Sequence, residues 1–129
     1  MLKINKIHHI AIICSDYEKS KHFYTQILGL NIIQEVYRTE RQSYKLDLAI
    51  DDNYVIELFS FPNPPKRISR PEASGLRHLA FEVNNVEEAR NYLLSHSIES
   101  ETIRVDEFTN KEFFFIADPD NLPIEFYQK

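Results

Sequence analysis

One short stretch of this chain occurs twice. His8-His9-Ile10-Ala11-Ile12 returns as Arg77-His78-Leu79-Ala80-Phe81. In both copies a His opens an apolar, strand-like run that gives way to a polar helix start. His9 leads to Ser15 and Asp16, and His78 leads to Asn84 and Asn85, with His9 and His78 lying 69 residues apart. The repeat runs on to the far end of each copy. Asp52 to Phe59 parallels Asp120 to Tyr127 and aligns Glu57 with Glu125 at an offset of 68, which a single deletion explains. Such a repeat constrains the fold more than composition does, because each copy is one supersecondary unit and the copies share a topology. A chain of 129 residues has room for two such modules and little else.

Each module reads as strand, helix and three strands. Ile7 to Cys14 is apolar apart from its histidines and predicts a buried strand. Ser15 with Glu18 fits a capping box, and Asp16 puts negative charge at the positive end of the helix dipole. Phe23, Tyr24, Ile27 and Leu28 are spaced for one apolar helix face, which Gly29 suits as a stop. Strands are expected over Asn31 to Arg38, Ser43 to Ile50 and Tyr54 to Phe61. Four of the six prolines then fall between Pro62 and Gly75. Proline fixes φ and removes a donor, so this stretch is a linker. The order restarts with a strand over Leu76 to Val83 and a helix over Asn85 to His96, with Val86, Ala89, Leu93 and Leu94 on one side. Strands follow over Ser100 to Val105, Lys111 to Ile116 and Pro123 to Tyr127. Module one thus covers residues 5–61, the linker 62–75 and module two 76–128, together one α+β domain.

Charge and cysteine content narrow the setting. A net charge of −5 lacks the basic excess that nucleic-acid binding needs. The single Cys14 cannot form an intrachain disulfide, and residues 1–6 lack the apolar core of a signal peptide. No apolar run approaches the roughly 18 residues of a membrane span. The chain is read as cytoplasmic, acting on a small molecule, with no nucleic-acid or membrane partner.

Each repeat places one His and one Glu within apolar strand sequence. A lone strand His is more often a hydrogen-bonded core residue than a ligand, and a lone Glu near a strand end usually faces solvent. Repetition changes that weighting. Two carboxylates and two imidazoles related by a pseudo-two-fold make a four-ligand set for one divalent cation: His9, Glu57, His78 and Glu125. Mixed N/O ligation suits Ni²⁺ or Zn²⁺, with Co²⁺, Fe²⁺ and Mn²⁺ as alternatives. His8 competes with His9 for the site, and the repeat selects His9, because Arg77 occupies the place of His8.

These residues resemble the vicinal oxygen chelate superfamily. Asp118-Pro119-Asp120-Asn121-Leu122-Pro123-Ile124-Glu125 is similar to its closing DPDG-x-x-hydrophobic-Glu signature, and Tyr17 to Leu30 is similar to its first helix. The resemblance covers essentially the whole chain and looks closest to small bacterial glyoxalase-like proteins. It implies a glyoxalase/bleomycin resistance/dioxygenase-like fold, two βαβββ modules curled around a metal site, and a homodimer. Within the superfamily, extradiol dioxygenases and fosfomycin-type resistance enzymes use three protein ligands, methylmalonyl-CoA epimerases carry Gln at the place of Glu57, and bleomycin-binding members lack the metal set. Glyoxalase I carries both glutamates.

The resemblance therefore implies a metal-dependent, lactoylglutathione lyase-like enzyme of the carbon–sulfur lyase type. It would act on vicinal oxygens through an enediolate, with Glu125 as general base and Glu57 opposite it. The alternatives are a non-heme iron extradiol-type dioxygenase and a non-catalytic small-molecule-binding protein. One departure stands out. Glutathione-dependent members carry an Arg four residues after the first His and an Asn four residues after the first Glu, where this chain has Ile13 and Phe61. Substrate contacts are expected instead from Arg77, Phe59, Phe61 and Tyr44, with Lys66, Arg67 and Arg70 as further cations on the linker.

Overall fold

In the computed structural model, which describes residues 1–129, both copies of the repeat fold into a four-stranded sheet with the same strand order. The chain divides into two units, Met1–Pro65 and Lys66–Lys129, so most of the proline-rich stretch belongs with the second.

The first unit runs β1 (Ile10–Cys14), α1 (Tyr17–His22), β2 (Asn31–Arg38), β3 (Ser43–Ile50) and β4 (Asn53–Ser60). Its sheet order is β1-β4-β3-β2. β1 lies parallel to β4 with Ala11 opposite Glu57, and the other pairs are antiparallel. The second unit runs β5 (Leu79–Val83), α2 (Val86–Ser95), β6 (Arg104–Val105), β7 (Glu112–Ala117) and β8 (Pro123–Gln128). Its order is β5-β8-β7-β6, and β5 lies parallel to β8 with Ala80 opposite Glu125. The sequence repeat is thus also a repeat of hydrogen-bonding register.

Strand alternation divides each sheet into two faces. In the first unit Ile12, Cys14, Leu46, Leu48, Ile56 and Leu58 are buried, as are Tyr17, Phe23 and Tyr24 from the helical segment. In the second, Phe114, Ile116, Ile124 and Phe126 are buried, with Val86 and Leu93 supplied by α2. The intervening residues, Glu57 and Glu125 among them, take the opposite face.

Several boundaries differ from the sequence expectation. The α1 cap is Asp16, whose side chain accepts from Lys19 N, rather than Ser15. The helix turns π-helical over Phe23–Ile27, closed by Leu28 N donating to Phe23 O at 2.9 Å. The wider turn reduces the angle between successive side chains, which lets the adjacent Phe23 and Tyr24 both bury. β1 and β5 begin one residue after their histidines, so His9 and His78 stand at the entrance of each strand. β6 is confined to Arg104–Val105 because the Glu101 carboxylate, not a strand carbonyl, accepts the Phe115 N–H at 3.0 Å. Leu94, expected on the apolar side of its helix, is 42% exposed.

Two turns fix the approach to each Glu-bearing strand. Asp118 Oδ1 accepts from the backbone of Asp120 and Leu122, while Asn121 takes φ 65. The equivalent turn before β4 has Asp51 at φ 51. Aspartate and asparagine tolerate this left-handed geometry better than other non-glycine residues do. In the first unit Glu35 on β2 also accepts from Tyr17 and, at 2.7 Å, from Lys21, which fastens α1 to the sheet.

Leu46 is fully buried, so Leu46→Ala is expected to lower stability by about 2–5 kcal/mol in urea unfolding, whereas Leu94→Ala should change it by less than about 0.5 kcal/mol. Hydrogen bonds from Lys21 and then Tyr17 hold the Glu35 carboxyl below its ordinary range. A depressed carboxyl contributes stability above its unfolded pKa of about 4.3, and that contribution is lost as pH falls through the folded value. The stability gap between wild type and Glu35→Gln should therefore shrink as pH drops from about 5 to about 3, read as urea midpoints.

Candidate functional site

Each unit brings its His and Glu together. His9 Nε2 lies 3.7 Å from Glu57 Oε1, and His78 Nε2 lies 2.9 Å from Glu125 Oε2. Parallel pairing of the first and last strands does this. Ala11 sits opposite Glu57 and Ala80 opposite Glu125, and the His two residues earlier shares the face of that alanine. Both carboxylates are largely shielded, with side chains 16% and 12% exposed. The four expected ligands thus stand as two pairs, one in each unit, and no group of three or more His, Cys, Asp or Glu is arranged to hold a metal.

The residue before each His touches its other ring nitrogen. His8 Nδ1 is 2.8 Å from His9 Nδ1, and Arg77 Nη1 is 3.1 Å from His78 Nδ1. A guanidinium only donates, so His78 Nδ1 accepts in this contact, and Nε2 is the nitrogen turned toward Glu125.

The surroundings of the two glutamates differ. Glu57 Oε2 accepts from the Tyr54 hydroxyl at 3.1 Å and lies 3.4 Å from Lys45 Nζ. Both donors also bind the buried Asp47, Lys45 at 2.8 Å and Tyr54 at 2.9 Å. The Tyr54 ring stacks on His9 at 5.1 Å. Asp47, and to a lesser degree Glu57, hold the Lys45 ammonium above its ordinary pKa. Burial, reinforced by hydrogen bonds to Asp47 and Glu57, pushes the Tyr54 phenol well above its ordinary value. At the repeat-equivalent positions in the second unit stand Phe113, Phe115 and Leu122. There Phe115 meets His78 edge-on at 5.0 Å, and Glu125 has no hydrogen-bonding neighbour like Tyr54 or Lys45.

The expected substrate contacts distribute unevenly. Phe59 shares the Glu57 face and stacks with Phe61, and the Arg38 guanidinium lies over both rings at 4.7 and 5.8 Å. Arg104 covers Phe113 and Phe115 at the same two distances. Tyr44 alternates to the face opposite Glu57 and stacks on Tyr17 at 4.1 Å, so it is not brought to the pair. Arg77 touches His78 and also pairs with Glu72. Ile13, on the face of Ala11, is 54% exposed.

Sequence reasoning passed over Arg38, Lys45, Asp47, Tyr54 and Arg104. For Lys45, Asp47 and Tyr54 a signal existed in the places where the repeat fails to match itself. Burial and Glu35 likewise push the Tyr17 phenol up, so ultraviolet titration of the folded protein is expected to leave two phenols, Tyr17 and Tyr54, un-ionised past the usual tyrosine value of about 10, and Tyr54→Phe should reduce them to one.

The model of the Glyoxalase/Bleomycin resistance protein/Dioxygenase superfamily matches residues 6–126. The "Uncharacterized protein YwkD" of Bacillus subtilis (strain 168) is 60% identical over 126 residues, 98% of each chain. The "Uncharacterized protein YaeR" of Escherichia coli (strain K12) is 57% identical over 129 residues, the full length of both. The crystal structure of a glyoxalase family protein from Enterococcus faecalis superposes with a TM-score of 0.89 at 44% identity, covering 95% of this chain and 97% of that one.

Proposed function

Because the chain belongs to the Glyoxalase/Bleomycin resistance protein/Dioxygenase superfamily, we propose that it is a metal-dependent lyase or isomerase of glyoxalase type. Its substrate is a small molecule with vicinal oxygens. One observation carries this reading: the same His–Glu pair recurs at the same register in both units.

The donor chemistry fits a divalent first-row cation. Neighbouring donors around such an ion, with bonds of about 2.1 Å, lie about 3.0 Å apart in octahedral and about 3.4 Å apart in tetrahedral geometry. The 2.9 and 3.7 Å separations within the pairs bracket those values. In Glu57 the donors engage Oε2, and Oε1 faces His9. His9, Glu57, His78 and Glu125 are the residues that would hold the ion, with Ni²⁺ or Zn²⁺ preferred and Co²⁺, Fe²⁺ or Mn²⁺ as alternatives. The fosfomycin resistance protein FosX of Listeria monocytogenes, solved with Mn(II) and sulfate ion, shares the fold at a TM-score of 0.74 and 18% identity, which supports a divalent cation on this architecture. When bound, the cation supplies Lewis-acid stabilisation of negative charge developing on the substrate oxygens.

The unequal surroundings assign the roles. Glu57, gripped by Tyr54 and Lys45, is the fixed carboxylate. Glu125, whose neighbours are His78 and apolar rings, is the one free to exchange partners. It takes a proton from the substrate carbon and returns it to the adjacent carbon, as general base and then general acid. Tyr54 positions both His9 and Glu57. With Ile13 and Phe61 at the positions that hold glutathione in related enzymes, this chain lacks those two glutathione contacts.

A second reading draws on the same asymmetry. With Lys45 and Tyr54 keeping Glu57 off the metal, His9, His78 and Glu125 form an open two-His-one-carboxylate triad, the arrangement of non-heme iron dioxygenases. Assays of hemithioacetals made from methylglyoxal and several thiols, with metal content measured in parallel, decide between them. Glu125→Gln is expected to keep its metal and lose about 10²–10⁴-fold in turnover. Oxygen uptake with catechols and no isomerisation would favour the dioxygenase. Purified protein that takes up no stoichiometric metal would sink both enzyme readings and leave a binding protein of the same fold.

A further inference from the structure

The second unit contains a cavity of about 720 Å³ whose lining includes Arg67, Arg70, Arg77 and Arg104. Its size falls within the range of small-molecule sites. These are four of the seven arginines in a chain whose net charge is −5, so the local cation excess runs against the bulk composition.

We propose that this cavity binds an oxyanion group, a carboxylate or phosphate, of the small molecule that reacts at His78 and Glu125, with Arg70 as the principal contact. The proposal rests on the functional reading above for the reacting end and on the cavity itself for the anionic end.

A count of charges and partners supports it. Arg77 is matched by Glu72 at 2.6 Å and Arg104 by Glu101 at 2.9 Å. Arg67 donates to Ser69 Oγ and to the carbonyls of Leu76 and Arg77. All three acceptors are neutral, so its charge is not cancelled. Arg70 has neither a hydrogen bond nor an ion pair, and Glu99 is the one lining carboxylate without a cation. Two uncompensated guanidinium groups therefore face one uncompensated carboxylate. A guanidinium with its fork free is suited to bidentate capture of a planar or tetrahedral oxyanion. Arg70 is also carried on an anchored segment. Ser69 Oγ donates to Asn121 O at 2.7 Å, and Arg67 ties the segment to the entrance of β5.

The cavity is linked to His78 through two of its lining residues. Phe115 and Arg77 both line it, and both touch His78. Phe115, opposite Glu125 in the β7–β8 register, is the side chain that the cavity wall and the His78–Glu125 pair share.

Calorimetric titration of the full chain with inorganic phosphate, and separately with acetate, tests this. Saturable binding is expected for at least one anion, and the stronger of the two identifies the group recognised. Arg70→Ala should weaken it by about tenfold or more and Arg70→Lys by less, as loss of a charge-assisted bidentate contact predicts. Glu99→Gln should strengthen it several-fold, a gain that a folding defect cannot mimic. No saturable binding of either anion, or an Arg70→Ala variant that binds like wild type, would overturn the proposal. Metal uptake measured on the same samples separates the two claims. If metal is taken up but no anion binds, the cavity proposal fails alone. If anion binding depends on Arg70 but no metal is taken up, the anion site stands and the glyoxalase-type reading fails.

Discussion

An ionisable side chain on a strand that is otherwise apolar must find a partner, because removing an unpaired charge from water costs several kcal/mol. Glu57 and Glu125 are such groups, and each faces an imidazole at the entrance of the parallel neighbour, with Tyr54 and Lys45 also serving Glu57. The pairing works only if β1 and β4, and likewise β5 and β8, keep their register. A slip of one residue would turn each carboxylate into the helix-facing core beside Leu58 or Phe126. The buried faces and the His–Glu faces are therefore interdependent. The core fixes the register, and the register aligns the pair.

Duplication supplies two such pairs, and divergence has made them unlike. One is surrounded by Lys45, Asp47 and Tyr54, a satisfied polar network. The other has Phe113, Phe115 and Leu122 at the equivalent positions, none of which offers a hydrogen bond to a carboxylate. A polar network locks a group in place, whereas an apolar setting leaves a carboxylate to its single partner and whatever ligand arrives. Two copies of one motif can in this way divide holding and proton transfer between them, as acid–base pairs on other folds do when their environments are set apart.

Much of the fold was legible in the sequence because it repeats. Strand positions 31–38 and 43–50 follow from their patterning, and the choice of His9 over His8 as the partner of Glu57 followed from alignment with Arg77-His78. Where the reading missed, a side chain had replaced a backbone group. Asp16 took the capping role assigned to Ser15, and the Glu101 carboxylate ended the ladder that sequence patterning had extended from Ser100. Such substitutions leave no periodic trace. The helix at 17–28 widened after His22 because two adjacent aromatic residues both had to be buried, a packing demand that no helix propensity contains.

The sequence by itself determined the superfamily, the two-module topology and which His is matched to which Glu, since these depend on hydrophobic period and on residue identity repeated at a fixed offset. The tertiary structure decided what surrounds each pair. Lys45 reaches Glu57, and Asp47 reaches Tyr54, only through antiparallel pairing of β3 with β4, and the free charge of Arg70 emerges only once Arg67, Arg77 and Arg104 have found their acceptors. The physical reason is that a local pattern fixes which face a side chain takes, while its partners come from strands and loops distant in sequence, and a charge acquires its chemical role from those partners.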